Sequence, residues 1–148
     1  MSEATEDVNR RMLRARDAMD RDYALPLDVP ALARIAHVSP AHFARTFRDT
    51  FGETPHRYLQ RRRVERAMRL LRETTVSVTD ICFRVGFGSP GTFSRTFSAI
   101  VGRSPRQYRR AAVAANVPTC FTMAWVRPGN TEPPNTAVSE KFPPAPDR

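Results

Sequence analysis

An all-α fold of about seven short helices, arranged as two helix–turn–helix subdomains joined by a linker helix, is predicted by three observations. First, Ser39-Pro40-Ala41-His42-Phe43-Ala44-Arg45-Thr46-Phe47 returns fifty residues later as Ser89-Pro90-Gly91-Thr92-Phe93-Ser94-Arg95-Thr96-Phe97, so one structural device is built twice. Second, Ser39-Pro40, Thr54-Pro55, Ser89-Pro90 and Ser104-Pro105 each place an oxygen-bearing cap before a proline whose fixed φ suits a first helical turn. Third, Gly52 and Gly102 follow Phe51 and Val101, where a left-handed residue commonly closes a helix, and the next Ser/Thr-Pro start comes almost at once.

Taken in order, a first helix is expected over about Glu6–Asp22, carrying Met12, Leu13, Ala15 and Met19 among many arginines and packed on the first copy of the repeat. The first helix–turn–helix unit spans about 28–51. Its leading segment is Asp28–Ala36, its turn His37-Val38-Ser39, and its second helix carries Phe43 and Phe47 four apart with Phe51 four further on, one buried stripe. Arg45 then lies about 160–200° round the helix from that stripe and must point away from the core.

A linker helix is expected over about 55–73, where Val64, Ala67, Met68 and Leu71 fall at i, i+3, i+4 and i+7 with arginines around the remaining face. At 1.5 Å per residue it spans roughly 28 Å, close to the ~34 Å between successive major grooves on one face of B-DNA. The second helix–turn–helix unit spans about 77–101. Ser77 and Asp80 have capping-box spacing, the turn is Gly86-Phe87-Gly88-Ser89, and Phe93, Phe97, Val101 and Arg95 repeat the first pattern. Gly86 takes positive φ at little cost, whereas His37 at the matching place must tolerate it or the turn must differ. A last helix is expected over about 105–112. From 113 to 148 the chain holds seven of the 13 prolines and little apolar content after Pro128, so this tail is expected to be mostly disordered. Within it, Cys120–Val126 is apolar and aromatic enough to pack over an exposed side of the core.

Charge supplies the partner class. The 148 residues hold 24 Lys plus Arg against 15 Asp plus Glu, a net +9, and the tail from Val113 is neutral, so the whole excess falls in the helical region, where every basic residue is Arg. Arginine suits forked contacts to phosphate and base edges, and double-stranded DNA is the expected partner. An anionic membrane is disfavoured, because no apolar run reaches spanning length and the basic segments are interleaved with core residues. Met1–Asp7 is acidic with no apolar stretch, which indicates neither a secretion signal nor a transit peptide. Cys82 and Cys120 lack metal-ligand spacing, and His37, His42 and His56 have no carboxylate or cysteine cluster beside them. No metal, cofactor or catalytic group is therefore expected, and a reducing cytoplasm, with the protein on the nucleoid, fits best.

With Phe-x-Arg-x-Phe in both repeated helices, and Gly52-Glu53-Thr54-Pro55-His56-Arg57-Tyr58 and Gly102-Arg103-Ser104-Pro105-Arg106-Gln107-Tyr108-Arg109 after them, residues 8–112 closely resemble the AraC/XylS transcription regulators. The resemblance implies a homeodomain-like pair of units within an AraC-type DNA-binding domain over 1–112, whose two reader helices, 40–51 and 90–101, enter adjacent major-groove segments. It places Ala41, His42, Ala44, Arg45 and Arg48 of the first reader, and Pro90, Gly91, Thr92, Ser94 and Arg95 of the second, facing base edges, with Arg48 better suited to a phosphate. Ser39, Arg48, Arg57, Arg61, Arg62, Ser89, Ser98 and Arg106 are expected on phosphates, and Arg63 is either a phosphate clamp or solvated charge. Ala41, Ala44 and Gly91 offer no side-chain hydrogen bond, so Arg45 and Arg95 are expected to carry most direct readout.

Most relatives carry an effector-sensing domain, and this chain looks like the stand-alone subgroup. A monomer with two unlike readers would bind an asymmetric promoter site of two boxes about 10 bp apart, and RNA polymerase is an expected partner. Two rivals stand beside this reading. One is a methyl-transfer DNA-repair enzyme with a similar double-reader domain, which needs a thiolate cluster that two isolated cysteines do not make. The other is an adaptor that docks on RNA polymerase or another regulator and binds DNA weakly.

Overall fold

A computed structural model describes residues 2–115, and among them the regular elements are all helices: α1 Glu3–Arg21, α2 Val29–Ala36, α3 Pro40–Phe51, α4 Pro55–Glu73, α5 Val78–Arg84, α6 Pro90–Val101 and α7 Pro105–Ala115. Met1–Arg109 forms one compact unit. Arg110–Arg148 forms another, whose described part, through Ala115, continues α7. The expectations for the tail beyond Ala115, including disorder and the packing of Cys120–Val126, lie outside the described residues.

Each expected cap is present and explains where its helix begins. Ser39, Thr54 and Ser89 accept from the backbone N–H three residues on, at 3.3, 3.2 and 3.2 Å, with proline in the first turn each time. Gly52 and Gly102 close α3 and α6 at φ 80 and 91. Two expectations shift. The first helix starts at Glu3 rather than Glu6, because Ser2 caps it through Thr5 N–H and Glu3 and Glu6 complement the helix dipole. The reciprocal capping box is found at Ser104 and Gln107, where Ser104 N–H donates to Gln107 Oε1 at 2.9 Å and Gln107 N–H to Ser104 Oγ at 3.1 Å. At Ser77 the half in which the hydroxyl accepts from Asp80 N–H is present, at 3.0 Å.

Two cores follow from the two apolar stripes. Met12, Ala15 and Met19 of α1, Leu32, Ala33 and Ala36 of α2, Phe43 and Phe47 of α3, and Tyr58 and Leu59 of the first turn of α4 make the first. Val64, Ala67 and Leu71 of α4, Ile81 and Cys82 of α5, Val85 and Phe87 of the turn, and Phe93 and Phe97 of α6 make the second. One helix thus serves both, giving its start to one core and its remainder to the other. Tyr23, in the α1–α2 connection, packs against both cores.

The repeat is kept in three dimensions. Phe47 and Tyr58 meet edge to face at 5.7 Å, and so do Phe97 and Tyr108. The tyrosines of the two Gly-x-x-Pro-x-x-Tyr phrases are therefore the pins that seat the next helix on each reader. Within the readers, Phe43–Phe47 and Phe93–Phe97 pack at 5.5 and 5.7 Å. The turns match as well. His37 adopts φ 59 and Gly86 φ 104, and each turn closes with the same two backbone bonds: His37 N–H to Arg34 and Val38 N–H to Ala33 (3.2 and 3.0 Å), Gly86 N–H to Phe83 and Phe87 N–H to Cys82 (3.2 and 3.0 Å). His37 does tolerate the left-handed conformation, and the extra residue of the second turn, Gly88, falls after that closure.

Three arginines act as internal staples to helix ends. Arg11 bonds the α2 end through His37 O at 3.1 Å and, in turn, its Nε holds Asp7 at 2.7 Å, so hydrogen bonding from Arg11 keeps the Asp7 carboxyl below the usual range. Arg63 reaches from α4 to Tyr23 O at 2.7 Å and Leu25 O at 2.8 Å. Arg109 reaches back from α7 to Leu71, Thr74 and Val76 carbonyls at 3.2, 3.3 and 2.6 Å, tying the α4–α5 connection. A carbonyl left free at a helix end is a strong acceptor, and a guanidinium satisfies two or three at once.

Candidate nucleic-acid interface

The two readers present the same arrangement on unlike side chains. In α3, with Phe43 and Phe47 fully buried, Ala41, His42, Arg45 and Arg48 are exposed and Ala44 is half-buried. In α6, Phe93 and Phe97 are buried, Pro90, Gly91, Thr92 and Arg95 exposed, and Ser94 and Ser98 half-buried. The helical angle read from the sequence thus places both Arg45 and Arg95 at solvent.

Their settings differ. Arg45 makes no hydrogen bond or ion pair among the described residues, while His42 Nε2 lies 3.4 Å from Thr46 Oγ1 one turn along the same face. Arg95 lies back along its helix: Nη2 donates to Thr92 Oγ1 at 3.4 Å, and that hydroxyl also receives Ser89 O–H at 3.0 Å. A Cβ added at Gly91 would come within 3.4 Å of Arg95 Nη1. The Arg95 fork thus lies alongside Gly91, in van der Waals reach of where a side chain there would begin. Ser39 and Ser89 both cap their own helices as acceptors; Ser39 keeps its O–H to donate outward, whereas Ser89 donates its O–H to Thr92 Oγ1 and must give up that bond to donate to a phosphate.

The expected phosphate set divides. Arg48, Arg57 and Arg106 are exposed. Arg61 is engaged with Glu53 at 2.7 Å and Glu65 at 2.9 Å and lies over the Tyr58 ring, and these carboxylates hold its charge against burial. Arg62 pairs with Glu65 at 2.6 Å. Its Nε lies 2.9 Å from Asp20 Oδ1 as an ion pair without a hydrogen bond, and the same oxygen accepts from the Tyr58 hydroxyl at 2.7 Å. Burial works against the Arg62 charge, but Asp20 and Glu65 outweigh it and raise its pKa. Arg63 is spent on carbonyls, with burial pushing its pKa down. Of the first four arginines of α4, Arg57 is exposed, while Arg61, Arg62 and Arg63 are half-buried and engaged by groups within the protein.

Other chemistry is sparse. Cys82 is buried and burial pushes its thiol up, away from the reactive thiolate. Among the described residues no group of His, Cys, Asp or Glu could hold a metal ion, and no helix is long and apolar enough to cross a membrane.

A cap-started helix behind a tight turn, presenting arginine outward and repeated across one bridging helix, defines a double helix–turn–helix protein. Residues 32–111 match the family model described as a helix-turn-helix domain, and the chain belongs to the AraC-type helix–turn–helix family. It is 50% identical over 80 residues to "HTH-type transcriptional regulator Rv1931c" of Mycobacterium tuberculosis (54% of this chain, 31% of the relative). It is 37% identical over 68 residues to "Bifunctional transcriptional activator/DNA repair enzyme AdaA" of Bacillus subtilis (46% and 32%). The chain thus spans under a third of the length of these curated relatives.

Among solved structures, the DNA-binding domain of AdpA, described as a global transcriptional factor in complex with a target DNA, superposes with TM-score 0.69 at 32% identity over 72% of this chain and 96% of that one. The C-terminal domain of AraT, a response regulator from Geobacillus stearothermophilus, gives 0.67 at 30% over 70% and 87%.

Proposed function

We propose that residues 1–112 are the DNA-binding module of a cytoplasmic transcription regulator that reads an asymmetric promoter site in double-stranded DNA as a monomer, with RNA polymerase as its protein partner. Arg45 and Arg95 read bases, most simply as bidentate contacts to guanine. Ala41, His42, Ala44, Pro90, Gly91, Thr92 and Ser94 line the same groove surfaces. Arg48, Arg57 and Arg106, with Ser39, Ser89 and Ser98, bind phosphate, while Arg61 and Arg62 shape the frame from within. The observation that carries this reading is the exposure of Arg45 and Arg95 at one register position of two helices whose opposite faces are buried. Likeness to the AdpA domain, described in complex with a target DNA, supports it.

Binding of Arg45→Ala and Arg95→Ala proteins to a randomised duplex library tests it. Each substitution should relax preference at one box only, by roughly 1–3 kcal/mol at the base concerned. Uniform weakening at every sequence would move both arginines to phosphate. The adaptor reading is separated by salt: several arginine–phosphate contacts give a log–log slope of about −0.9 per neutralised phosphate, and an adaptor gives a flat response. The repair-enzyme reading has no support at Cys82, the described thiol, because it is buried.

A further inference from the structure

The two subdomains have separate cores, so something must fix the angle between their readers. Besides α4, which enters both cores, one cluster of contacts joins the two. Arg63, in the middle of α4, sends Nε to Tyr23 O at 2.7 Å and Nη2 to Leu25 O at 2.8 Å, gripping the α1–α2 connection of the first subdomain. Gly86, in the turn of the second, is pressed against the same group: a Cβ there would stand 2.8 Å from Arg63 Nε and 3.0 Å from both Ala24 Cα and Ala24 O. Tyr23, which carries the first of the carbonyls that Arg63 grips, packs its side chain against both cores, with the Arg66 guanidinium 5.1 Å over its ring. Backbone from subdomain one, a guanidinium from the bridging helix and a side-chain-less turn from subdomain two are thus stacked in van der Waals contact.

We propose that Arg63 is a positioning residue that locks the two readers at one relative angle, so that the protein's selectivity for the spacing of its two boxes resides in a seam away from DNA. This rests on the two-box reading above, but the lock itself can be measured without DNA. A cation placed on two backbone carbonyls of a connection holds that connection in one conformation. Gly86 lets the turn close on it, and each reader is rigid within its own subdomain. α4 enters both cores and Tyr23 touches both, so loss of the lock keeps the cores and loosens the angle between them.

The experiment places spin labels at the exposed, equivalent positions Asp49→Cys and Ala99→Cys of the full chain, with Cys120→Ser and buried Cys82 retained. The distance between them is measured in the parent, Arg63→Lys and Arg63→Met proteins, alongside binding to two-box duplexes of varied spacing and to single boxes. The parent should give one narrow distance and one preferred spacing. Arg63→Met should broaden the distance and flatten the spacing preference. It should also lower affinity at the preferred spacing roughly ten- to hundredfold while leaving single-box affinity and the salt slope unchanged. Arg63→Lys, which retains the charge and one bond, should fall between, and it decides the matter if Arg63→Met does not fold.

An unchanged distance and spacing preference in folded variants overturns the proposal, as does a salt slope reduced by about 0.9, which would make Arg63 a phosphate contact. If no protein prefers any duplex, the two-box reading fails, and the distance width still decides the lock.

Discussion

Tyr58 joins packing, charge and position in one side chain. Burial first, then its hydrogen bond to Asp20, pushes its hydroxyl up to about 12. A folded pKa above the ordinary value of about 10 means that the protonated form is favoured by folding. That contribution is full below pH ~10 and is lost as pH rises toward 12. Thermal melting should therefore show an alkaline decline that is shallower in Tyr58→Phe, which should also lose about 0.5–1.5 kcal/mol at neutral pH. Its packing partner Phe47, fully buried against Phe43, Phe51 and Tyr58, should cost about 3–5 kcal/mol as Phe47→Ala by chemical denaturation.

At this scale the sequence disclosed Arg45 and Arg95, because helical angle alone separates them from the phenylalanines. It did not disclose that Arg61, Arg62 and Arg63 are half-buried and held by groups of the protein itself. Their partners Glu53, Asp20 and the Tyr23 carbonyl are set by the path of the chain, and a run of arginines reads the same whether it is solvated or stapled.

Among the elements, boundaries with a local signal were legible, the Ser/Thr-Pro starts and the Gly52 and Gly102 stops, and those without one were less so. A Ser/Thr-Pro pair is a local signal, complete within three residues, which is why α3, α4, α6 and α7 begin where their caps stand. The last helix runs on to Ala115 because the alanine-rich stretch after 112 has high helix propensity and no stop signal comes before Asn116. The capping box lay at Ser104, not complete at Ser77, because Gln107 reaches back to its cap. Ser104→Ala should accordingly cost about 1 kcal/mol. The left-handed residue His37 is the other local test. Glycine there removes the steric penalty of φ 59 and valine accentuates it, so His37→Gly should hold or raise stability and His37→Val should lower it by about 1–2 kcal/mol. Melting temperatures of the three variants check both statements.

For the whole molecule, the repeat makes the fold readable and also makes the site asymmetric. Identical scaffolding, from the Phe–Phe–Tyr pins to the two turn bonds, supports unlike surfaces: His42, Arg45 and Arg48 on one reader, Thr92, Ser94 and Arg95 on the other. What no local pattern carries is the relation between the subdomains, which depends on contacts between Arg63, Ala24 and Gly86 that are far apart in the chain.

The central claim is that two unlike readers on one frame recognise a single composite site, and selection of the unmodified protein on a randomised duplex library tests it most directly. The account predicts one enriched motif of two different boxes about 10 bp apart, in fixed order and spacing. Enrichment of a palindrome, of one box alone, or of no sequence at all would contradict it.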